Sequence, residues 1–152
     1  MTKILVVADI KQGKLKNGTR ELISKAKELG AQAAVVAIGN QVRSLVPDMV
    51  AAGSETQYIV DDTSLGQFSA GPVTEGIMEA TEQFNADQIW FAFSESSKAV
   101  GPRIAAKLQT GCATEVTNIE CTADGVVITR PAAAGKVIQK EIKDGTYRRY
   151  NP

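Results

Sequence analysis

Residues able to do acid-base or metal chemistry are few in this sequence. There is no histidine among its 152 residues, which excludes Ser-His-Asp and Cys-His catalysis and every histidine-ligated metal site. Cys112 and Cys121 lack CxxC spacing, and we expect both to be free and mostly buried, with a disulfide across a hairpin as the alternative. Asp61 and Asp62 are adjacent, so their carboxylates diverge on extended backbone, which favours a turn or capping role over metal ligation. We therefore do not expect an enzyme.

Phosphate-binding motifs are also missing. The sequence has no GxGxxG, and its two Gly-Lys pairs lack the preceding glycine that a P-loop requires. Ser96 and Ser97 open a predicted helix whose free N–H groups could hold an anion. The alternative, which we favour, is that one of these two serines is simply the N-cap of that helix.

Charged residues give no overall steering field. The 17 basic and 17 acidic residues cancel, which weakens binding to nucleic acid or anionic lipid. Lys11, Lys14 and Lys16 form a local cluster, which we interpret as a solvated loop, with contact to a phosphate or a partner as the alternative. Residues 146–152 carry two arginines and two tyrosines, which predicts a flexible tail or a surface that stacks on a partner.

Four apolar runs predict the strands that position these residues, at 4–8, 33–38, 57–60 and 89–93. Each run is followed by apolar residues at helical spacing, with Val50 and Leu108 on the apolar faces of the second and fourth helices. Thr19 or Asn17 is the expected N-cap of the first helix, and Pro102 is expected near the start of the fourth.

Four successive strand-helix units predict an α/β fold, in which an open, mostly parallel sheet has helices on both faces. Three β-prone runs from residue 116 onward, with hairpin-type turns at Asp124-Gly125 and Asp144-Gly145, predict that the domain closes with antiparallel strands added to the parallel core. Trp90 lies inside the fourth strand and is expected to be core.

An open parallel sheet binds ligands beyond the carboxyl ends of its strands. The candidate cofactor-binding residues are therefore those that follow the strands: Ala8, Asp9, Gly39, Ser94, Ser96 and Ser97.

Several segments, in order, resemble the N-terminal domain of the electron-transfer flavoprotein α subunit family. They are a strand and GKL loop in residues 3–15, the stretch 51–62 ending in VDD, GPRIAAKL with TGCATEV in residues 101–116, and TRPAAAGK in residues 129–136. Together they cover roughly residues 3–140. The resemblance implies one adenine-nucleotide-hydrolase-like or Rossmann-like domain over residues 1–152.

That resemblance also implies a function. The chain would be a scaffold or partner domain in a flavin-dependent electron-transfer assembly, and not a catalyst on its own. In the family a second domain holds most contacts to FAD, so we expect this chain to lack that domain and not to hold FAD alone. Its partner would be a β-subunit-like chain, a separate flavin domain or a second copy of itself.

The alternative function is a stand-alone adenine-nucleotide-binding domain of the universal-stress type. The functional interpretation of the helix start at Ser96 and Ser97 is a mononucleotide site like that of the β subunit of the electron-transfer flavoprotein family, which binds AMP. Arg130, Gly135 and Lys136 flank a turn of small residues, which predicts close approach of a partner subunit, with a tight bend as the alternative. The first apolar run is too short for a signal peptide, and no run nears the roughly 18 residues of a membrane span, so we expect a cytoplasmic protein.

Overall fold

The computed structural model describes residues 2–92, 94–113, 116, 118–122, 125–132 and 137–143, with side chains described up to residue 120. The chain divides into two compact units, Met1–Val100 and Gly101–Pro152. No helix in these described ranges is long and apolar enough to cross a membrane.

The elements follow in chain order. They are β1 (Lys3–Val7), β2 (Ile10–Lys11), β3 (Lys14–Leu15), α1 (Asn17–Glu28), β4 (Gln32–Gly39), α2 (Val46–Ala51), β5 (Thr56–Asp61), α3 (Ala70–Phe84), β6 (Gln88–Phe91), α4 (Glu95–Lys107), β7 (Asn118–Thr122), β8 (Gly125–Ala132) and β9 (Val137–Lys143). Single 3₁₀ turns at Val42–Leu45 and Thr63–Leu65 follow β4 and β5.

A four-stranded sheet forms the centre of the first unit. Its strand order is β5-β4-β1-β6, and every neighbouring pair is parallel. Ile4, Leu5 and Val6 of β1 are fully buried, as are Ala33 to Val35 of β4. Strands buried on both faces need a cover on each side, which explains why the sequence presents them as unbroken apolar runs.

Helices α1 and α3 supply that cover. The chain leaves β1 for β4 through α1 and crosses back from β5 to β6 through α3, so right-handed crossovers place the two helices on opposite faces. Ile23 and Ala26 of α1 and Ile77 and Ala80 of α3 are buried. The predicted parallel α/β architecture is confirmed.

Some details of the helices differ from prediction. Pro102 lies in the interior of α4, not near its start, because the helix begins as early as Glu95. Val50 and Leu108 are 53% and 41% exposed, so their assignment to apolar faces was wrong. Neither Asn17 nor Thr19 caps α1, whose N-cap position is Lys16 without a side-chain bond.

The second unit contains the predicted antiparallel strands. β7, β8 and β9 pair with one another, with Thr122 opposite Gly125 and Arg130 opposite Gln139. They form a three-stranded sheet of their own, so the expectation that they are added to the parallel core was wrong. Gly135, Lys136, the Asp144-Gly145 turn and the 146–152 segment lie outside the described residues.

Candidate ligand cleft

A cleft of about 500 Å³ opens at the carboxyl ends of the parallel strands. The strand order reverses between β1 and β6, which is the position where open α/β sheets bind ligands. The cleft is lined by all six residues predicted from sequence: Ala8, Asp9, Gly39, Ser94, Ser96 and Ser97. The structure thus brings together residues from three separate strand ends.

Asp9 is held firmly at the edge of this cleft. Its backbone N–H donates to Thr19 Oγ1 at 2.8 Å, and its carbonyl accepts from Lys16 N at 2.9 Å. Its carboxylate lies 3.6 Å from Lys16 Nζ, and the Asp9 side chain is 18% exposed against 46% for Lys16. The two backbone bonds close the β2-β3 hairpin against the start of α1 and fix where the carboxylate sits.

Ser94 and Ser97 form a reciprocal cap at the start of α4. Ser94 N–H donates to Ser97 Oγ at 2.9 Å, and Ser97 N–H donates to Ser94 Oγ at 3.1 Å. This is capping-box geometry with serine at both positions. Ser94 therefore precedes the helix as its cap. The prediction that Ser96 or Ser97 is the N-cap was wrong, because the helix already begins at Glu95, one residue before Ser96 and two before Ser97.

Two aspartates shape the loops on the other side of the cleft. Asp61 accepts from the backbone N–H groups of Gln41 at 2.8 Å and Arg43 at 3.1 Å, and so caps the turn after β4. Asp62 accepts from Ser64 N–H at 2.8 Å. This backbone bond is the main cause that lowers the pKa of Asp62 below its ordinary value of 3.8, and a hydrogen bond from the Ser64 side chain contributes less.

The predicted capping role of this pair is therefore confirmed. Within the described part of the chain, no three His, Cys, Asp or Glu side chains cluster closely enough to hold a metal ion.

The apolar part of the lining comes from loops and strand ends. Phe68 contributes an aromatic ring that is 52% exposed, and Leu65 and Phe91 lie on the same cleft. Trp90 is instead buried at 7% exposure and donates from Nε1 to Gln88 Oε1 at 2.9 Å. Trp90 is thus core, as predicted, and offers no ring to a ligand.

Two lysines of the basic cluster, Lys11 and Lys14, do not line the cleft. Lys11 and Lys14 are directly opposite each other in the β2-β3 ladder, and Ile10 pairs with Leu15. Because side chains alternate along a strand, the two lysines occupy the other face from Ile10, which lines the cleft, and from the buried Leu15. Both lysines are exposed, which agrees with their interpretation as part of a solvated loop.

The described lining of this cleft offers a phosphate no cationic side chain. Among the described residues that line it, Asp9 carries the one ionisable side chain, and it is an acid. A neighbouring hollow of about 470 Å³ at the start of α1 includes Lys16, but the ammonium there already faces the Asp9 carboxylate. Neither AMP nor the pyrophosphate of FAD finds an uncompensated cation here.

One free cysteine is described outside the cleft. Cys112, in the second unit, is partly buried and unpaired, and burial raises the pKa of its thiol above the ordinary value of 9.0. The side chain of Cys121 lies outside the described part of the chain.

Strand order and the crevice at the switch point define a doubly wound α/β domain of Rossmann-like type. Residues 4–146 match the family model of the electron transfer flavoprotein domain, and the chain belongs to that family. The resemblance predicted from the sequence motifs is confirmed.

The curated relatives are longer proteins. The chain is 28% identical over 142 residues to the electron transfer flavoprotein subunit alpha of Bacillus subtilis, covering 92% of this chain and 44% of that protein. It is 24% identical over 148 residues to the lactate dehydrogenase (NAD(+),ferredoxin) subunit LctC of Acetobacterium woodii, covering 94% and 35%. The chain thus spans less than half the length of these relatives.

Among solved structures, a universal stress protein from Archaeoglobus fulgidus aligns with a TM-score of 0.41 at 15% identity, covering 68% of this chain and 92% of that one. That likeness is too low to decide the function.

Proposed function

We propose that this chain is the α-subunit-like scaffold domain of a flavin-dependent electron-transfer assembly, acting in the cytoplasm as a partner and not as a catalyst on its own. The observation that carries the proposal is the family match along residues 4–146, together with relatives named as α subunits. Electron transfer requires no acid-base side chain from a scaffold, because the cofactor carries the chemistry.

The charge of the cleft supports a division of labour over the flavin. FAD carries a pyrophosphate, and the cleft presents the Asp9 carboxylate without an uncompensated cation beside it. Burying a phosphate against a carboxylate is costly. FAD in the assembly is therefore bound mainly by a β-subunit-like chain or a separate flavin domain, and this chain supplies surface to that partner.

The second unit supplies the proposed partner contact. Arg130 stands in β8, and Gly135 and Lys136 follow in the segment between β8 and β9. A guanidinium offers five donors in a rigid fork, which suits recognition of a carboxylate on a partner surface. In this proposal the segment from Arg130 to Lys136 belongs to a single functional domain that spans residues 1–152.

Co-purification tests the scaffold role. The chain is co-expressed with a β-subunit-like chain and a flavin-domain chain, and gel filtration is read together with a flavin absorbance scan. We expect a flavin-containing complex, and no flavin in the chain purified alone. Failure to associate with every candidate chain would contradict the proposal, as would stoichiometric flavin in the isolated chain.

An arginine pair sharpens the test. Arg130→Ala is expected to weaken the complex on the order of tenfold or more, as loss of a charged interface contact does. Arg43→Ala removes an exposed arginine of the first unit and is expected to leave the affinity unchanged. An equal loss of affinity in both variants would show that the complex depends on overall positive charge and not on a specific contact of Arg130.

The alternative of a stand-alone AMP-binding domain draws support from the cleft's position alone. The Asp9 carboxylate in the cleft argues against this alternative, because AMP would bring a phosphate beside it.

A further inference from the structure

We propose that the cleft binds an uncharged, nucleoside-like molecule, a flat heterocycle bearing hydroxyl groups, and discriminates against its phosphorylated form. This inference goes beyond the scaffold role and does not depend on it. The cleft of about 500 Å³ lies within the roughly 300–1,000 Å³ typical of small-molecule sites.

Charge decides which form of ligand fits. Asp9 is the one ionisable side chain among the described lining residues, and its carboxylate is held in place by the bonds of Asp9 to Thr19 and Lys16. A carboxylate only accepts hydrogen bonds, so its complement is a ligand O–H or N–H. A ligand phosphate would add a second negative charge beside it.

The start of α4 does not compensate for that charge. The backbone N–H of Ser94 donates to the Ser97 hydroxyl, and that of Ser97 donates to the Ser94 hydroxyl. These two N–H groups are therefore already used within the cap. Glu95 adds a carboxylate in the same turn, but it pairs with Lys98 at 3.5 Å, so this turn brings no added net charge. The hydrogen-bonding groups that make a helix start into a phosphate site are thus partly occupied.

The apolar lining favours a flat ring. Phe68 is 52% exposed although it lines a concave surface, which leaves its ring available to a ligand. Exposed large aromatic side chains at a cleft are suited to offset stacking on a heterocycle. A molecule with a ring at Phe68 and hydroxyls at Asp9 would use both the aromatic and the acidic part of the lining.

Adenosine and AMP make a matched pair of probes because they differ by the phosphate alone. Isothermal titration of the whole chain is expected to give saturable binding of adenosine, with AMP weaker on the order of tenfold because of the repulsion from Asp9. Tighter or equal binding of AMP would overturn the proposal, and so would the absence of heat from adenosine at millimolar concentration.

Two variants separate the carboxylate from its ion pair. Asp9→Asn keeps the backbone bond to Thr19 but removes the charge, and is expected to weaken adenosine binding and narrow its advantage over AMP. Lys16→Gln breaks the same ion pair from the other side, leaves the carboxylate in place, and is expected to retain adenosine binding. Equal loss of adenosine in both variants would overturn the role assigned to Asp9.

A third variant tests the stacking surface. Phe68→Leu keeps an apolar side chain at an exposed position, so it is not expected to change folding. It is expected to weaken adenosine and AMP by the same factor, leaving their ratio unchanged. Unchanged adenosine affinity would place the ring of the ligand elsewhere and overturn this binding mode.

Discussion

The hydroxyl of Thr19, in the first turn of α1, accepts a hydrogen bond of 2.8 Å from the backbone N–H of Asp9. Thr19 is fully buried, so this bond fastens the residue that follows β1 to the helix that covers the sheet. Together with the bond from Lys16 N–H to the Asp9 carbonyl, this contact between loop and helix fixes the position of the Asp9 carboxylate at the cleft.

Thr19→Val is expected to lower the free energy of unfolding by about 1–3 kcal/mol, because it leaves the N–H of Asp9 without its acceptor. Thr19→Ser keeps the hydroxyl, loses one methyl group, and is expected to cost about 1 kcal/mol. Urea denaturation followed by the fluorescence of Trp90, the single tryptophan, measures both. Equal stability of the two variants would show that the hydroxyl is not what matters.

Asp61 holds the turn after β4 by two backbone bonds, to Gln41 and Arg43. Gln41 adopts a φ of 60°, a left-handed conformation that an unbranched polar residue tolerates only with support. Asp61→Ala is therefore expected to lower the free energy of unfolding by about 1–2 kcal/mol, as loss of a good cap does.

Asp62→Ala is the matched control for that loss. Asp62 accepts a single described backbone bond, from Ser64, and its removal is expected to cost clearly less than that of Asp61. The same urea titration compares the two variants. A larger loss from Asp62 than from its neighbour would contradict the assignment of Asp61 as the main cap.

The fold was predictable from the sequence because strands buried on both faces leave unbroken apolar runs. Ile4 to Val6 show this directly: they are fully buried and contain no polar residue. The capping role of Asp61 and Asp62 was predictable for a similar reason, since the divergence of adjacent side chains is a local property of the backbone.

Other features depended on information that lies outside any short segment. Ser94 was missed as a cap because the usual capping box has Glu or Gln at its third helical position, where this chain has Ser97. The Ser-x-x-Ser spacing was the available signal. The charge of the cleft could not be predicted, because the face taken by Lys11 and Lys14 is set by the pairing of the hairpin.

Asp62 gives a prediction about pH. Carbon-detected NMR titration is expected to place its pKa below 3.8, since the ionised form accepts the hydrogen bonds from Ser64. A lowered pKa means that this contribution to stability is present above the pKa of the unfolded chain, and is lost as the pH falls through the folded value. Ser64→Ala removes the side-chain part of the interaction and is expected to return the pKa part of the way. A titration at or above 3.8 would contradict the cap.

The pKa of Cys112 is shifted upward, in the opposite direction to that of Asp62. Burial raises the pKa of its thiol, so the reactive thiolate is scarcer than in a free cysteine at the same pH. In a Cys121→Ser variant, which leaves Cys112 as the sole thiol, alkylation by iodoacetamide at pH 8 is expected to be slower in the folded protein than in urea. Equal rates in both conditions would show that burial does not protect the thiol.

Two glycines of α3 test how closely that helix packs on the sheet. A Cβ at Gly71 would meet no atom within 4 Å, whereas one at Gly76 would lie 2.8 Å from Ile38 Cδ1 and 3.5 Å from Val60 Cγ2. Alanine favours the helix at both positions, so Gly71→Ala is expected to raise the free energy of unfolding by about 0.4–1 kcal/mol.

Gly76→Ala gains the same helix preference but pushes aside the Cδ1 end of the partly exposed Ile38 side chain, and forcing a side chain off its rotamer costs about 0.5–1.5 kcal/mol. We therefore expect Gly76→Ala to be less stable than Gly71→Ala by about 0.5–1.5 kcal/mol in urea denaturation. Ile38 also lines the cleft, so the displaced side chain should alter adenosine binding in the Gly76 variant alone. Matching stability and matching ligand affinity in the two variants would mean that α3 stands further from β4 than these distances indicate.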